Sequence, residues 1–261
     1  CSATQPCSEA ALHPITIPTR EMVPYDPKLW PIFCRTRIVD AGAVSLEGIP
    51  ALAAQMLEGA DSLLVICNKK DQAGEIYRSL PGDYLKFHLS AAMCMAHRSD
   101  TLKAMRAALD DTGRTQKLVC VSTQVIEAGV DISFARVIRL AAGMDSVVQS
   151  AGRCNRNGES QTPAPVGLVR CAGENLKRLP DIQRAKNATL ALLGEFQARP
   201  ERFNGDLASD QSIAYYYRKL FHELDGIQDG PVMADGRQTS LYELLSLNEN
   251  FVDLDFDSCC E

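Results

Sequence analysis

The chain has 261 residues, 46% of them hydrophobic, which is enough for a globular protein of one large domain or of one domain with an extension. No apolar run approaches the roughly 20 residues of a membrane span and no signal-peptide pattern occurs, so we expect a cytoplasmic protein with no membrane partner. The chain has 27 Lys and Arg and 33 Asp and Glu, with the acidic excess after residue 174. Its net charge would therefore not attract nucleic acid, and nucleic-acid binding would depend on local arrangements of residues.

Apolar, β-rich runs alternate with helix-like stretches over the first two thirds of the chain. The predicted strands are 37–39, 62–67, 84–89, 117–122, 136–140 and 166–171. The predicted helices between them are 46–58, 71–80, 97–110 and 146–156. This alternation predicts an α/β fold, a parallel sheet covered by helices on both faces. Ligands of such sheets gather at the carboxyl ends of the strands, so binding is expected in the turns after residues 67, 89, 122 and 140.

After about residue 175 the pattern changes to helices alone. They are predicted at 182–196, 211–224 and 239–247, and an acidic end without evident structure follows. Three consecutive tyrosines, Tyr215 to Tyr217, could stack on nucleic-acid bases. Their helical spacing with Leu220 and Phe221 favours a place in the core.

The ten cysteines are scattered, and no CxxC pair occurs. Cys94 and His97 have ligand-like spacing, but no second pair completes a zinc site, so we expect no bound metal at these residues. The neighbours Cys259 and Cys260 have poor geometry for bridging each other. Reduced thiols in a reducing compartment are the simplest account.

The chain begins with Cys1 rather than methionine and lacks motifs that hold a triphosphate. It contains no GxxxxGK[ST] phosphate loop, no Asp-Glu-x-Asp or Asp-Glu-x-His motif for magnesium and no His-Asp dipeptide. We therefore expect a piece of a longer protein, and we expect this piece by itself to be inactive as an ATPase.

The segment QSAGRCNRNGE carries Gln149, Arg153 and Arg156 at spacings of four and three residues. On a helix of about 3.6 residues per turn, these three side chains would share one face. That face could be an ordinary solvated surface of the helix. It could instead be a polar, doubly cationic ridge directed at a ligand, and only the context of the segment can favour that interpretation.

The segment CVSTQVIEAGVDI is predicted to be a strand, a helical turn and a loop that turns back. The hydroxyls of Ser122 and Thr123, with free N–H groups at the helix start, can form a seat for a phosphate group. Gly129 would let the chain reverse, so that Asp131 can present its carboxylate to a ribose hydroxyl. Glu127 shares this turn and could hold a neighbouring arginine.

Five segments together resemble the motifs of the second motor domain of a superfamily 2 helicase. In chain order they are SAT, VICNKKDQAGEIY, HLSAAMCMAHR, STQVIEAGVDI and QSAGRCNRNGE. More narrowly, the chain resembles the helicase–nuclease of type I CRISPR systems, which is recruited to a Cascade R-loop. The resemblance covers about residues 1–175 and, more faintly, 176–247. The combination of GRCNRxGE with EAGVD makes it specific.

The resemblance implies a role in ATP hydrolysis for two of these segments. Gln149, Arg153 and Arg156 match the motif whose arginines reach across a cleft to the γ-phosphate, so they are the expected catalytic residues. Gly129 and Asp131 match positions that contact the nucleotide or the other motor domain.

The resemblance also implies contacts to DNA and a coupling function. Expected DNA-backbone contacts come from Asn68, Lys69, Ser90 and Thr123. Lys69 departs from the family, which often has threonine there, and its ammonium group would meet a phosphate as a point charge. The residues expected to couple hydrolysis to movement are Ser2, Thr4 and Glu127.

The resemblance implies three parts in this chain: the end of a first motor domain with a linker at 1–30, a second RecA-like helicase domain at 31–175, and an incomplete helical extension at 176–261. The implied function is ATP-driven translocation on single-stranded DNA in antiviral defence, with a nuclease in the full protein. The implied cofactor is ATP with Mg²⁺, held mainly by the first motor domain. The implied partners are single-stranded DNA, the Cascade complex, and the first RecA-like and nuclease domains of the same protein.

The same residues are compatible with three alternative functions. A different superfamily 2 motor, acting on DNA or RNA, would use the same arginines. A truncated, non-catalytic module that occupies nucleic acid or a partner fits every residue as well. A structural domain with accidental motif similarity is the third alternative.

Overall fold

The computed structural model describes residues 33–127, 130–224, 231–234 and 237–240. The expected segment 1–30, with Ser2 and Thr4, lies outside the described residues, and so does Gly129. No helix within the described ranges is both long enough and apolar enough to cross a membrane.

A six-stranded sheet whose neighbouring strands are all parallel lies at the centre of the fold. The strands are β1 Thr36–Val44, β2 Ser62–Ile66, β3 Leu85–Leu89, β4 Leu118–Ser122, β5 Arg136–Leu140 and β6 Ala164–Cys171. Their spatial order is β1-β6-β5-β2-β4-β3, so β1 and β3 form the two edges. The parallel α/β sheet predicted from the alternating pattern is confirmed.

The interior strands are apolar because helices cover both faces of the sheet. The continuous runs SLLVI of β2 and LVCVS of β4 are buried at every position, as expected for parallel strands enclosed on two sides. The edge strand β3 is only half-buried, apart from Leu89. Burial therefore increases from the edge of the sheet towards its middle.

Two hydrophobic clusters occupy the two faces of the sheet, and alternate residues of β2 belong to each of them. The helices that provide them are α1 Ile49–Met56, α2 Lys70–Ser79, α3 Met95–Asp110, α4 Met144–Ala151, α5 Pro180–Ala198 and α6 Asp210–Leu224. Ile49 of α1 and Ile76 of α2 pack on one face. Val147 of α4 and Leu192 of α5 pack on the other. The prediction of helices on both faces is confirmed.

The first strand is longer than predicted. β1 extends past the predicted 37–39 to Val44, with an irregular register between Asp40 and Ala43. Gly42 has a φ of 80° and donates its N–H to Asp40 Oδ1 at 2.9 Å. A residue other than glycine rarely adopts that φ. The small residues of this irregularity interrupt the strand pattern, so the sequence indicated only the first part of β1.

The helix predicted at 146–156 is wrong at its end. α4 stops at Ala151, Gly152 follows as its C-cap, and Cys154 then forms a parallel bridge with Phe134. Asn155 has a φ of 46°, which a helix cannot contain. Arg153 and Arg156 therefore lie beyond the helix. The single helical ridge expected from the spacing of Gln149, Arg153 and Arg156 does not form.

The appended helices pack on the same core as the sheet. α5 and α6, with a short 3₁₀ turn at Pro200–Phe203 between them, contribute to the cluster that contains α4. Tyr216 and Tyr217 are buried, which confirms the core interpretation for these two tyrosines. The Tyr216 hydroxyl donates to Asp145 Oδ1 on α4 at 2.7 Å, so a polar contact also ties the last long helix to the domain.

A short hairpin follows these helices. β7 Pro231–Ala234 pairs antiparallel with β8 Arg237–Ser240. The predicted helix 239–247 is therefore wrong at 239–240, and 241–247 lies outside the described residues. The sequence did contain a signal for the hairpin, because an Asp-Gly dipeptide at 235–236 between two short runs is typical of two-residue hairpin loops.

We expect the Tyr216 hydroxyl to contribute measurably to the free energy of unfolding. Replacing Tyr216 with Phe removes a hydrogen bond to a carboxylate, which we expect to lower the free energy of unfolding by about 1–3 kcal/mol. Tyr215→Phe is the matched control, because the ring of this half-buried neighbour packs on Phe203 and its hydroxyl forms no hydrogen bond with the described residues. Urea unfolding of both variants measures the difference, and equal stability would contradict the docking of α6 through this contact.

The described cysteines should differ sharply in reactivity. Burial raises the pKa of Cys154 to about 12 and the pKa of Cys67 to about 12, whereas Cys34 and Cys94 are exposed. Because the thiolate is the reactive form, alkylation at pH 8 should label the two exposed cysteines at least about tenfold faster. Peptide mass spectrometry in buffer and in urea measures this. Labelling of Cys154 in buffer at the rate of Cys34 would disprove the packing around it.

Candidate functional site

Polar residues follow three strands at the carboxyl edge of the sheet. Asn68 comes after β2, Ser90 after β3 and Thr123 after β4, and all three are buried. The Thr123 N–H donates to the carbonyl of Leu89 at 3.0 Å, so the turns after β3 and β4 are adjacent. Ser90 Oγ accepts from the N–H of Ala92 at 3.3 Å. The structure thus brings these expected DNA-contact residues to one edge, as the parallel sheet requires.

Thr123 has a hydroxyl whose hydrogen bonding is incomplete. Its Oγ1 is buried and has no hydrogen-bond partner among the described residues. Leaving a buried hydroxyl unpaired costs about 1–3 kcal/mol. The Thr123 hydroxyl is therefore a buried group at this edge with unused hydrogen-bonding capacity.

Asn68 turns its side chain into the protein. Its Oδ1 accepts from Arg139 Nη1 at 2.7 Å, and its Nδ2 donates to Ala141 O at 2.9 Å and to Glu174 Oε1 at 3.0 Å. Both amide hydrogens are therefore used. A DNA contact at this position, which stays a prediction, would have to come from the main chain or from Lys69 beside it.

Lys69 is half-buried at the start of α2. Its ammonium group donates to the carbonyl of Asn175 at 3.2 Å, and its N–H donates to Gln72 Oε1 at 3.1 Å. The turn after β2 therefore contacts the turn after β6, across the end of β5, which lies between those strands. This contact places the Lys69 ammonium group at the carboxyl edge, where its predicted phosphate contact would occur.

A fully buried arginine, Arg139 near the end of β5, lies at the centre of a polar cluster. Its Nη1 donates to Asn68 and to Leu140 O at 2.8 Å, and its Nη2 donates to Ser146 Oγ at 2.7 Å. Its Nε lies 2.9 Å from Glu127 Oε1, although the N–H is not aligned for a hydrogen bond, so this contact is an ion pair. The Arg139 charge is thus compensated inside the fold.

Glu127 pairs with a buried arginine, Arg139, while its expected role in coupling stays a prediction. Besides the ion pair with Arg139, its Oε2 accepts from Ser146 at 2.7 Å and its Oε1 from Ser150 at 3.2 Å. Its main-chain carbonyl accepts from Arg153 Nη2 at 2.6 Å. Glu127 therefore connects the buried cluster to the segment that carries the predicted catalytic arginines.

A second arm of the cluster reaches the appended helix α5. Glu174 Oε1 accepts from Asn68 and from Gln72 Nε2 at 3.0 Å. Glu174 Oε2 pairs with Lys186 Nζ of α5 at 2.5 Å. The Glu174 side chain is wholly buried and that of Lys186 is 10% exposed, so this pair joins α5 to the turn after β6, and the bond from Asn68 extends the link to the turn after β2.

Arg153 is buried and held by main-chain carbonyls. Its Nε donates to Ile126 O at 2.9 Å, in addition to the bond from Nη2 to the Glu127 carbonyl. Only 8% of the residue is exposed. Burial lowers the pKa of Arg153, as does the charge of Arg156, whereas Asp131 and Glu127 raise it. The guanidinium group is rigidly placed, but most of its surface is already in contact with this chain.

Arg156 lies at the surface and forms an ion pair with the other expected nucleotide residue. Its Nε lies 2.7 Å from Asp131 Oδ1, with side-chain exposures of 41% and 79%. Its Nη1 donates to Gly152 O at 3.2 Å, and its N–H donates to Ser133 Oγ at 3.0 Å. Its carbonyl accepts a hydrogen bond from Arg35. An exposed pair of this kind leaves the guanidinium group accessible to an incoming partner.

The predicted catalytic and DNA-contact residues lie at different levels of the sheet. Arg156 contacts residues just before β1 and β5, near the amino ends of these strands, whereas Ser90 and Thr123 lie at the carboxyl edge. Gln149 is half-buried on α4 and its side chain forms no hydrogen bond with the described residues. The turns at the carboxyl edge therefore do not hold all of the predicted site residues.

The central residues of this cluster were not predicted from the sequence. They are Arg139, Ser146, Ser150, Glu174, Lys186 and Gln72. One signal was present: the predicted strand RVIRL contains a charged residue between apolar neighbours. Charged residues are almost never fully buried without a partner, so such a residue indicates an internal counter-charge. The sequence could not identify which acid supplies it.

The two arginines should differ in their effect on stability. Arg153→Ala leaves the carbonyls of Ile126 and Glu127 unpaired in a buried place, which we expect to cost about 1–3 kcal/mol. Arg156→Ala removes an exposed ion pair and should cost about 0–1 kcal/mol. Urea unfolding of the two variants tests this difference, and an equal loss would contradict the burial of Arg153.

A family model described as CRISPR-associated nuclease/helicase Cas3, C-terminal, matches residues 59–159. The CRISPR-associated nuclease/helicase Cas3 of Haloferax volcanii is 56% identical over 48 residues, which is 18% of this chain and 5% of that protein. The protein of the same name from Methanothermobacter thermautotrophicus is 25% identical over 169 residues, which is 63% of this chain and 19% of that protein. This chain therefore spans a small part of the length of these relatives.

Solved structures of similar fold agree with the sequence matches. The crystal structure of T. fusca Cas3-ADP matches with a TM-score of 0.54 and 17% identity, covering 74% of this chain and 25% of that one. A crystal structure of a CRISPR-associated protein matches with a TM-score of 0.53 and 18% identity, covering 81% of this chain and 24% of that one. At these identities the matches bear on the fold, which is RecA-like. The family model and the two relatives show that part of the chain, residues 59–159 in the family match, is similar to the C-terminal part of CRISPR-associated nuclease/helicase Cas3.

Proposed function

We propose that this chain is the second motor domain of an ATP-dependent translocase or helicase that acts on single-stranded DNA in CRISPR antiviral defence. In this proposal the full protein also carries a first RecA-like domain and a nuclease domain. The first domain holds most of the ATP and Mg²⁺, and this chain closes over the nucleotide. The observation that carries the proposal is the surface pair of Arg156 and Asp131 beside the buried Arg153, within the segment that matches the Cas3-like family.

The chemistry of phosphoryl transfer explains why an arginine from a second domain would matter. Negative charge spreads over the γ-phosphate oxygens as the bond to the leaving group breaks. A guanidinium group that is already in place can compensate this charge without reorganisation. Such a contact is typically worth about 10³–10⁵ in rate, whereas an exposed ion pair contributes only about 0–1 kcal/mol to stability. In this proposal Arg156 supplies the guanidinium group that compensates the charge on the γ-phosphate.

The two arginines suit different tasks within the proposed site. Arg156 is the better candidate to reach the γ-phosphate, because its guanidinium group is accessible and is held by one exposed carboxylate. Arg153 keeps the adjacent chain in place through hydrogen bonds to two carbonyls. Gln149 lies four residues before Arg153, within α4, and is the third predicted member of this group.

The carboxyl edge supports the DNA part of the proposal. Thr123 Oγ1 is buried and has no hydrogen-bond partner among the described residues, and Lys69 places a positive charge at the same edge. Contacts from such groups would go chiefly to phosphates, so the motor should be nearly indifferent to base sequence. Recruitment by the Cascade complex and a cytoplasmic location complete the proposal and follow from the family.

The function can be tested in a protein that joins this chain to a phosphate-loop domain. Arg156→Ala should lower the kcat of ATP hydrolysis stimulated by single-stranded DNA by about 10³-fold or more, because the transition-state charge loses its partner. The fold should be unaffected. Steady-state ATPase measurements with DNA strands of different composition, and with RNA strands, provide the readout.

The matched control is Arg178→Ala, which removes an exposed arginine in the turn after β6. It should leave kcat at the wild-type value. Unchanged turnover in the Arg156→Ala protein would refute the catalytic assignment. Stimulation by RNA alone would assign the motor to RNA instead, and binding of nucleic acid with no hydrolysis in the wild-type protein would indicate a non-catalytic module.

A further inference from the structure

The fully buried Arg139 has a cost that stability alone does not justify. It lies in β5 between apolar residues, where an aliphatic side chain would pack without the cost of removing a charge from water. Replacing a buried ion pair by apolar residues is often neutral or stabilising. The ion pair with Glu127 is therefore weak evidence that Arg139 stabilises the fold. The positions of the groups that Arg139 contacts indicate a different role.

The guanidinium group of Arg139 joins separate parts of the fold. Its three nitrogens contact the turn after β2 through Asn68, helix α4 through Ser146, and the turn after β4 through Glu127. A planar guanidinium group offers donors in fixed directions, which a lysine cannot reproduce. One side chain therefore links three separate elements of the fold.

The contact with Glu127 leads directly to the predicted catalytic segment. The Glu127 carboxylate is held by Arg139, by Ser146 and by Ser150. The carbonyls of Glu127 and of the preceding Ile126 accept the two hydrogen bonds from Arg153. Arg139 thus holds the side chain of a residue whose main chain holds Arg153.

We propose that Arg139 is a positioning residue for ATP hydrolysis, which places the arginine-bearing segment 152–156 by fixing Glu127. Arg139 touches neither nucleotide nor DNA in this proposal and acts through Glu127 and Arg153. The inference rests on the proposed function, because it concerns the rate of the reaction assigned to that segment. It adds a residue that lies outside the segment and is remote from the surface.

The test uses a double substitution that removes both charges. In the protein joined to its phosphate-loop domain, Arg139→Met combined with Glu127→Gln leaves no unpaired buried charge, so the domain should still fold. The kcat for DNA-stimulated ATP hydrolysis should fall about tenfold to a hundredfold, because small displacements of catalytic groups have effects of this size. The KM for ATP should change much less than kcat.

The second arm of the same cluster supplies a matched control. Glu174→Gln combined with Lys186→Met neutralises another buried pair but does not touch Glu127. At saturating DNA, kcat should stay within about twofold of the wild-type value. Thermal unfolding of both double variants shows whether a lower kcat comes from a displaced segment 152–156 or from a smaller fraction of folded protein.

A milder variant keeps the test decisive if the first double variant does not fold. Ser146→Ala removes the hydroxyl between Arg139 Nη2 and Glu127 Oε2, and it should lower kcat without a large change in unfolding temperature. Wild-type kcat in a folded Arg139→Met/Glu127→Gln protein, or in Ser146→Ala where the double variant is unfolded, would overturn the proposal. An equal loss in the Glu174/Lys186 control would overturn it too.

The outcome for Arg156 separates this inference from the function on which it rests. If Arg156→Ala lowers kcat while the Arg139/Glu127 variant retains it, only the positioning role fails. If Arg156→Ala retains kcat, the catalytic assignment itself fails, and the positioning role fails with it.

Discussion

The ion pair between Arg139 and Glu127 is the interaction on which the candidate site depends. A charge without access to water must be matched by an opposite charge and by hydrogen bonds. Arg139 finds these in the turn after β2, on α4 and in the turn after β4. The polar residues at these places therefore turn inward, and the loops that carry them are held against one another.

This constraint separates buried residues from accessible ones. Asn68, Glu127 and Arg153 use their hydrogen-bonding groups within the chain, whereas Arg156 and Asp131 pair at the surface. The buried residues form a rigid support, and the accessible ones can exchange partners. The proposed function, closure over a nucleotide held by another domain, would need both properties.

Much of the fold could be predicted because enclosed parallel strands have a strong pattern. The continuous apolar runs of β2 and β4, bounded by polar turns, cannot be solvent-exposed helices and are too short for buried ones. The end of α4 was harder to predict. Arg153 has the spacing of a further helical turn, but Gly152 and the bridge of Cys154 with Phe134 end the helix first, and a pairing between distant segments leaves no periodic signal.

The sequence by itself determined the parallel sheet, the helices on both faces and the segments that resemble a helicase motor, because these depend on local periodicity and on short motifs. Only the tertiary structure decided that Arg153 is buried while Arg156 is exposed, and that Arg139 pairs with Glu127. Such pairings join residues from different loops. Which loops meet depends on the order of the strands in space, and the chain order of the strands does not specify it.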